Sequence, residues 1–458
     1  MIKSPKNQDR ILESDNLQIV RSMLEGLAEV RTSKGGWIDG EQETVEEETL
    51  AFKAAESLRC FLIANILAPD AFSDLPLEPA LLISDIKQVF QDVKAEGFFP
   101  SPYSPIPDVA DEYTDFAAFC LEFSHLVYKY AETSHHKELQ GPAKATAKKA
   151  HAFLTNVKHF QKDGNGCRWA ATPLLKRTTK KGLVEFFTNA YFTSIVILSL
   201  WNTLESPVLG LPLSKRREVE ELIRDAGKWL VGRLDPSSGL MTGDEKKTRR
   251  ELLFSTWGLQ ALVCTYKIHS EEVKSNIWPL VSAYLKAIEQ RINESSVSIG
   301  QEYLYVLSPT VEEQLPYDER SDWGGIFLTL ISLQSLPEAD EQLETLHYKL
   351  ILDNVYSGIL KLRNPKTKVW YRDFFILSVH HYLAEGFVLY DKHVKEFGLE
   401  LAVTPGVLRR SLKEALSDDS VLSMLQEALY NQILKTAQRT RQDRTILEKF
   451  EELSDSEE

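Results

Sequence analysis

Leu253–Val263 reads LFSTWGLQALV, a Thr-Trp pair set in a run whose spacing predicts a helix that is apolar almost all round. A helix of that kind is buried on most sides. The stretch before it, RREVEELIRDAGKWLVGRL (216–234), is of the opposite kind: Val219, Leu222, Ile223, Ala226, Leu230 and Leu234 line one face and charged residues the other. DPSSG (235–239) stops that helix with Pro and Gly. The polar stretch LMTGDEKKTRRE then leads into the buried helix. The unit is an outer amphipathic helix, a turn, a loop and an inner buried helix.

The same order recurs. Residues 17–67 run from LQIVRSMLEGLAEV through RTSKGGW to ETLAFKAAESLRCFLIANIL, and 82–131 from LISDIKQVFQDVKAEGFF to YTDFAAFCLEFSHLVYKY. Residues 145–203 run from ATAKKAHAFLTNVKHF through QKDGNGCRW to VEFFTNAYFTSIVILSLWN. A looser unit, 276–336, ends in SDWGGIFLTLISLQSL, and 348–391 closes with KVWYRDFFILSVHHYLAEGFVLY. Six helical hairpins result. Their inner-helix heads, Thr49, Thr114, Thr188, Thr256, Asp322 and Asp373, recur at intervals of about 50 to 75 residues, longer than in most open solenoids. One buried and one half-exposed helix per hairpin suit a closed ring, so the expected fold is all-α, an α/α toroid. A Thr at the head of an inner helix reads as a cap for exposed amides, with the Trp of STW beginning the packed face.

GKWLVGRLDPSSGL and AFLTNVKHFQKDGNGCRW resemble the repeats of terpenoid cyclases and protein prenyltransferases, where an aromatic-Leu pair precedes a Gly-x-Trp turn. FSTWGLQALV is similar to the inner helix that follows those turns. The pattern spans residues from about 17 to 391, and the resemblance implies the toroid fold. The cyclases protonate an alkene with a DxDD motif at an inner-helix head. The nearest stretch here is VEEET, with Glu47 and Glu48 before Thr49 and Val45 in place of the first acid. The prenyltransferases hold zinc through Asp, Cys and His. TDFAAFC offers Asp115 and Cys120 at a different spacing, and His380 and His381 read as packed core. No metal and no cofactor are therefore expected.

Hydrophobic residues make up 43% of the 458 and charged residues 26%, ordinary values for a folded chain. A net charge of −14 disfavours nucleic acid as a partner. No stretch reaches the roughly 20 apolar residues a bilayer requires, and the N-terminal residues lack the apolar core of a signal peptide. Cys60, Cys120, Cys167 and Cys264 form no CxxC, which fits free thiols and a cytoplasmic setting. The expected organisation is a lead (1–16), the toroid (17–394), a C-terminal helical extension (395–450) and an acidic tail (451–458). In the extension Val421, Leu422, Leu425, Leu429 and Ile433 form an apolar stripe for the toroid or for a partner.

The loops entering the inner helices carry charge in blocks. Glu47, Glu48 and Asp111 are the candidate catalytic acids, since paired carboxylates serve glycoside hydrolysis. Lys176, Arg177, Lys180 and Lys181, with Lys246, Lys247, Arg249, Arg250 and Arg372, form a candidate rim for an anion or a partner. No Walker loop, GxGxxG, GxSxG or HExxH occurs. The sequence therefore leans away from an enzyme. It points to a regulatory or binding subunit that engages a protein partner or a phosphorylated ligand through its charged rim and C-terminal helix. The alternative is a toroid enzyme, either a prenyl-diphosphate cyclase or lyase or a glycan hydrolase, with acids at the inner-helix heads.

Overall fold

The computed structural model describes residues 15–32, 37, 51–99, 114–170, 176–178, 184–186, 190–242, 251–294, 323–363, 368, 370 and 377–397. All of them fall within one compact unit, Met1–Phe397. The outer helices are α1 (Asp15–Glu29), α3 (Pro79–Asp92), α5 (Lys137–Leu154), α7 (Leu213–Val231) and α9 (Glu271–Glu294). Between them run the inner helices α2 (Ala51–Leu67), α4 (Thr114–Thr133), α6 (Ala190–Glu205), α8 (Glu251–Cys264) and α10 (Trp323–Ser332). A short α11 (Ala339–Thr345) precedes the last pair, α12 (Tyr348–Leu362) outside and α13 (Leu377–Phe397) inside.

The inner helices make a closed cycle. Each packs on the next in the order α2, α4, α6, α8, α10, α13, and α13 returns to pack on α2. They run in one direction. Phe52 meets Phe116, Arg59 meets Glu122 and Asn65 meets Ser134, so positions on α2 and α4 advance together. The toroid is thus closed, and Tyr356 Oη of α12 donates to Asn16 Oδ1 of α1 at 2.7 Å across the join. The division into half-exposed outer and buried inner helices follows the sequence pattern: Leu252 through Val263 of α8 are all buried, whereas α7 buries Val219, Ile223, Ala226 and Leu230 and exposes its charges.

One feature of the repeat differs from the sequence expectation, for a hydrogen-bonding reason. Thr256 is no helix cap. It lies five residues inside α8, where its hydroxyl bonds Leu252 O at 2.8 Å and Tyr284 Oη of α9 at 3.0 Å, pinning inner to outer helix. Thr114 opens α4 but donates at 2.6 Å to Ala170 O of the next repeat. The turn tryptophans bond the end of the outer helix that precedes them. Trp37 Nε1 donates to Leu27 O at 2.9 Å, Trp169 Nε1 to Leu154 O at 2.9 Å and Trp370 Nε1 to Ile359 O at 2.7 Å. Each bond occupies one of the carbonyls that a helix C-terminus leaves without an intrahelical donor.

QKDGNGCRW folds as a hairpin, β1 (Phe160–Asp163) paired antiparallel with β2 (Gly166–Trp169). Gly166 has φ +121°, and a Cβ there would lie 2.3 Å from Asp225 O of α7, so only glycine lets this hairpin seat on the outer helix. A second hairpin pairs β3 (Lys176–Thr178) with β4 (Val184–Phe186).

Candidate functional site

Within the inner barrel the side chains separate into two levels. Leu253 and Trp257 of α8, Leu328 of α10 and Tyr382 of α13 form an apolar cluster apart from the main core, with Tyr191 and Leu198 of α6 packed against it. Trp257 meets Tyr382 edge-on at 4.9 Å between ring centroids and Tyr191 at 5.9 Å. Phe52, Phe116 and Phe119 continue the aromatic wall on α2 and α4. All of these residues except Leu198, which stands in the third turn of α6, lie in the first two turns of their inner helices, so together they form an aromatic floor toward the N-terminal end of the barrel.

Beside and beneath this cluster the inner helices carry charge, with Glu56 and His381 level with the aromatics and Arg59 and Glu122 about one turn deeper. Arg59 of α2 is 1% exposed and bridges two carboxylates: Nη1 donates to Glu56 Oε1 at 2.8 Å and Nη2 to Glu122 Oε1 of α4 at 2.5 Å. The guanidinium lies over the rings of Phe119 and Tyr382, at 5.5 and 5.9 Å, which ties this level to the floor above it. Oε2 of Glu56 lies 2.7 Å from Nδ1 of His381 on α13. Among the described residues Glu56 Oε2, His381 Nδ1, His381 Nε2 and Arg59 Nε have no hydrogen-bond partner of good geometry. Glu385, one turn beyond His381 on α13, is half-buried.

Burial and charge divide the protonation states. Burial opposes ionisation of Glu56, but His381 and Arg59 hold its carboxyl below the usual range. Burial and the charge of Arg59 depress His381, against the pull of Glu56. Burial, then the charge of Glu122, pushes Glu385 up to about 7. The two acids are thus shifted in opposite directions, Glu56 down by its cations and Glu385 up by burial.

Glu47, Glu48 and Asp111 lie outside the described residues, as do Lys180, Lys181, Lys246, Lys247, Arg249, Arg250, Arg372 and the stripe at 421–433. Lys176 and Arg177 sit on β3, where Arg177 is registered against Glu185. Asp115 is at the start of α4, with its carboxylate bonded to Phe116 N at 3.0 Å. Cys60, Cys120 and Cys167 are buried free thiols. His380 and His381 are both buried, and His380 Nε2 accepts from Trp370 N at 3.1 Å. Among the described residues no helix is long and apolar enough to cross a membrane.

No protein-family model and no curated protein sequence matches the chain. Solved structures do. A family 76 glycoside hydrolase (mannosidase) from Bacteroides thetaiotaomicron is similar with a TM-score of 0.54 at 10% identity, over 84% of this chain and all of that one. A family 76 glycoside hydrolase from a bovine strain of the same species has a TM-score of 0.53 at 14% identity, over 82% of this chain and 78% of its own. An inactive variant of a Salegentibacter α-1,6-mannanase, altered at two adjacent aspartates and bound to α-1,6-mannotetraose, has a TM-score of 0.51 at 11% identity, over 83% of this chain and 99% of its own. At such identities the likeness shows the fold, an α/α toroid.

These neighbours correct two expectations. The toroid stands, but its neighbours are glycoside hydrolases, not the terpenoid cyclases and prenyltransferases that the Gly-x-Trp turns resemble. That resemblance rested on turns whose tryptophans serve a structural bond. The reading as a non-catalytic binding subunit is overturned as well, because the solved toroids to which this one is similar include glycan-cleaving enzymes. It rested on missing catalytic motifs, and two acids on separate loops make no motif.

Proposed function

We propose that this chain is a glycoside hydrolase that works at the N-terminal mouth of its inner barrel. The observation that carries this reading is the aromatic floor of Trp257, Tyr382 and Tyr191, presented by a toroid similar to those of mannan-cleaving enzymes. Aromatic faces bury the apolar side of a sugar ring, while hydroxyl-bearing edges stay free for polar neighbours.

The chemistry belongs to acids at the heads of neighbouring inner helices. Glu47 and Glu48 are adjacent in sequence just before α2, and Asp111 and Glu112 just before α4. Hydrolysis needs one carboxyl to protonate the leaving oxygen and a second carboxylate to act as base or nucleophile. An adjacent acid pair also accords with the two adjacent aspartates altered in the inactive mannanase variant. The rim cations from Lys176 to Arg250, with Arg372, would receive anionic substituents on the glycan.

The test is reducing-end release from α-mannan and a panel of other polysaccharides. Glu47→Gln/Glu48→Gln and Asp111→Asn/Glu112→Gln variants run alongside the wild type. Loss of at least about a hundredfold in one pair with unchanged melting supports the reading and names the acids. Release of no reducing ends from any polysaccharide by the wild-type protein removes it.

A further inference from the structure

At the far end of the barrel, where α2 and α4 finish, lies a cavity of about 380 Å³ that the reading above leaves unused. Asn65 on its wall is about 20 Å of helix from the head of α2. Leu77 and Leu82 are buried at its base, with Leu75 beside them. Asn65 is 8% exposed; its Nδ2 donates to Phe72 O at 2.9 Å and its Oδ1 accepts from Ser134 Oγ at 3.4 Å. A carboxamide has two amide hydrogens and two lone pairs on its oxygen, so one of each is left for a ligand. Arg21 fixes the α2–α3 connection by donating to the carbonyls of Ala71 and Asp74. His135 has φ +61°, and the next residue, His136, stacks on Tyr130 with ring centroids 5.7 Å apart. The Asp74 carboxylate stands exposed in the lining, with no ion-pair partner among the described residues.

We propose that this cavity is a second saccharide site, which takes one sugar unit of a neutral glycan at the end of the barrel opposite the mouth. Its volume lies at the small end of the roughly 300–1,000 Å³ of small-molecule sites, which suits a single unit better than a long chain. The chemistry of the lining selects among ligands. It contains no lysine or arginine, and Asp70, Glu78, Glu132 and Glu138 flank it in sequence against one Lys137, so an anion is disfavoured. A wholly apolar ligand would strand Asn65 and Asp74. A simple organic cation would pair with Asp74 and leave Asn65, Ser73 and Ser134 idle. A sugar engages all of them. Neighbouring hydroxyls donate to the two oxygens of Asp74, others pair with Asn65, Ser73 and Ser134, and the C–H face packs on Leu75 and the His136 ring. The saccharide assignment stands on this cavity; that it holds the glycan cut at the mouth rests on the hydrolase reading.

The test locates binding directly. Amide hydrogen exchange of the full-length protein is followed with α-1,6-mannotetraose, maltotetraose, cellotetraose and benzylamine, in wild type, Asp74→Ala and His136→Ala. At least one tetrasaccharide should slow exchange in residues 68–78 and 133–138 of the wild type, and both substitutions should abolish that slowing. Asp74 is exposed and its side chain supports nothing else, so Asp74→Ala should melt as the wild type does and decides alone if His136→Ala misfolds. No slowing of these segments by any tetrasaccharide, or slowing that persists in Asp74→Ala, overturns the site. Slowing by benzylamine alone also overturns it and assigns the cavity to a cation. Slowing by a tetrasaccharide in a protein that cleaves no polysaccharide keeps the site and removes the hydrolase. Cleavage without slowing at these segments does the reverse.

Discussion

The indole of Trp370 donates to the carbonyl of Ile359 at 2.7 Å, and Trp169 repeats that bond on Leu154 at 2.9 Å. The hydrogen bond lies between a buried donor and a helix-end carbonyl that has no other route to water. Replacing Trp37, Trp169 or Trp370 with Phe keeps most of the ring and removes the donor. Each substitution should cost about 1–3 kcal/mol in urea unfolding, the range for stranding a buried acceptor. A cost near zero at all three would show that the rings act through packing alone.

Arg59→Met should be among the most damaging single changes in the inner barrel. It strands Glu56, which is 2% exposed, and the Glu122 carboxylate together. Breaking a buried pair from one side costs about 3–5 kcal/mol. Glu56→Gln in the Arg59→Met background should recover part of that loss. A double variant as unstable as the sum of the two singles would disprove the coupling.

Acid should weaken the fold through buried histidines. Burial, then Lys129 and His151, depresses His125 to about 3, and burial, then Arg224 and Lys274, depresses His269 to about 4. Below the unfolded value of 6.5 the unfolded chain takes up protons that these imidazoles refuse, so stability falls as pH drops from 6.5. Each group contributes up to about 1.4 kcal/mol per pH unit over that window. Glu385 has the opposite sign: its raised value gives stability that is fully present below 4.5 and lost as pH rises through about 7. Melting temperature against pH should therefore slope less in His125→Gln than in wild type between 6.5 and 4. Equal slopes would exclude His125.

Gly166→Ala should destabilise strongly. The φ of +121° disfavours any L side chain, and the added methyl would meet the Asp225 carbonyl, backbone that cannot swing aside. A loss of about 2–4 kcal/mol is expected from strain and clash together. Gly164→Ala, two residues away with open space at its Cβ, is the control that should leave melting nearly unchanged.

The toroid was legible because burial writes itself into local periodicity. A helix like α8 can be apolar on every face only if other helices surround it, and α7 can be half charged only at the outside. The ionic cluster was not legible as a cluster, since Glu56, Glu122 and His381 lie on helices far apart in sequence. A signal for its members was nevertheless present. KAAESLRCFLIANIL, FCLEFSHLV and HHYLAEGFVLY place a few charges in largely apolar helices, and a charge buried there must find a partner. Thr256 misled for the converse reason. Its position before an apolar run looked like a cap, but the helix had already begun at Glu251.

The return of α13 onto α2 leaves the architecture without a first or last member. An open solenoid can lose a terminal repeat and keep the remainder, because each unit leans only on its neighbours. Here the removal of any hairpin breaks two seams and opens the barrel, so partial versions of the protein have no stable form to occupy. Closure also demands that Asn16 find Tyr356 across almost the whole chain, and contacts of such sequence separation slow folding. The same circularity makes the point at which the chain begins incidental. Joining the ends of the ring and cutting it between an outer and an inner helix elsewhere should give the same six-membered wheel.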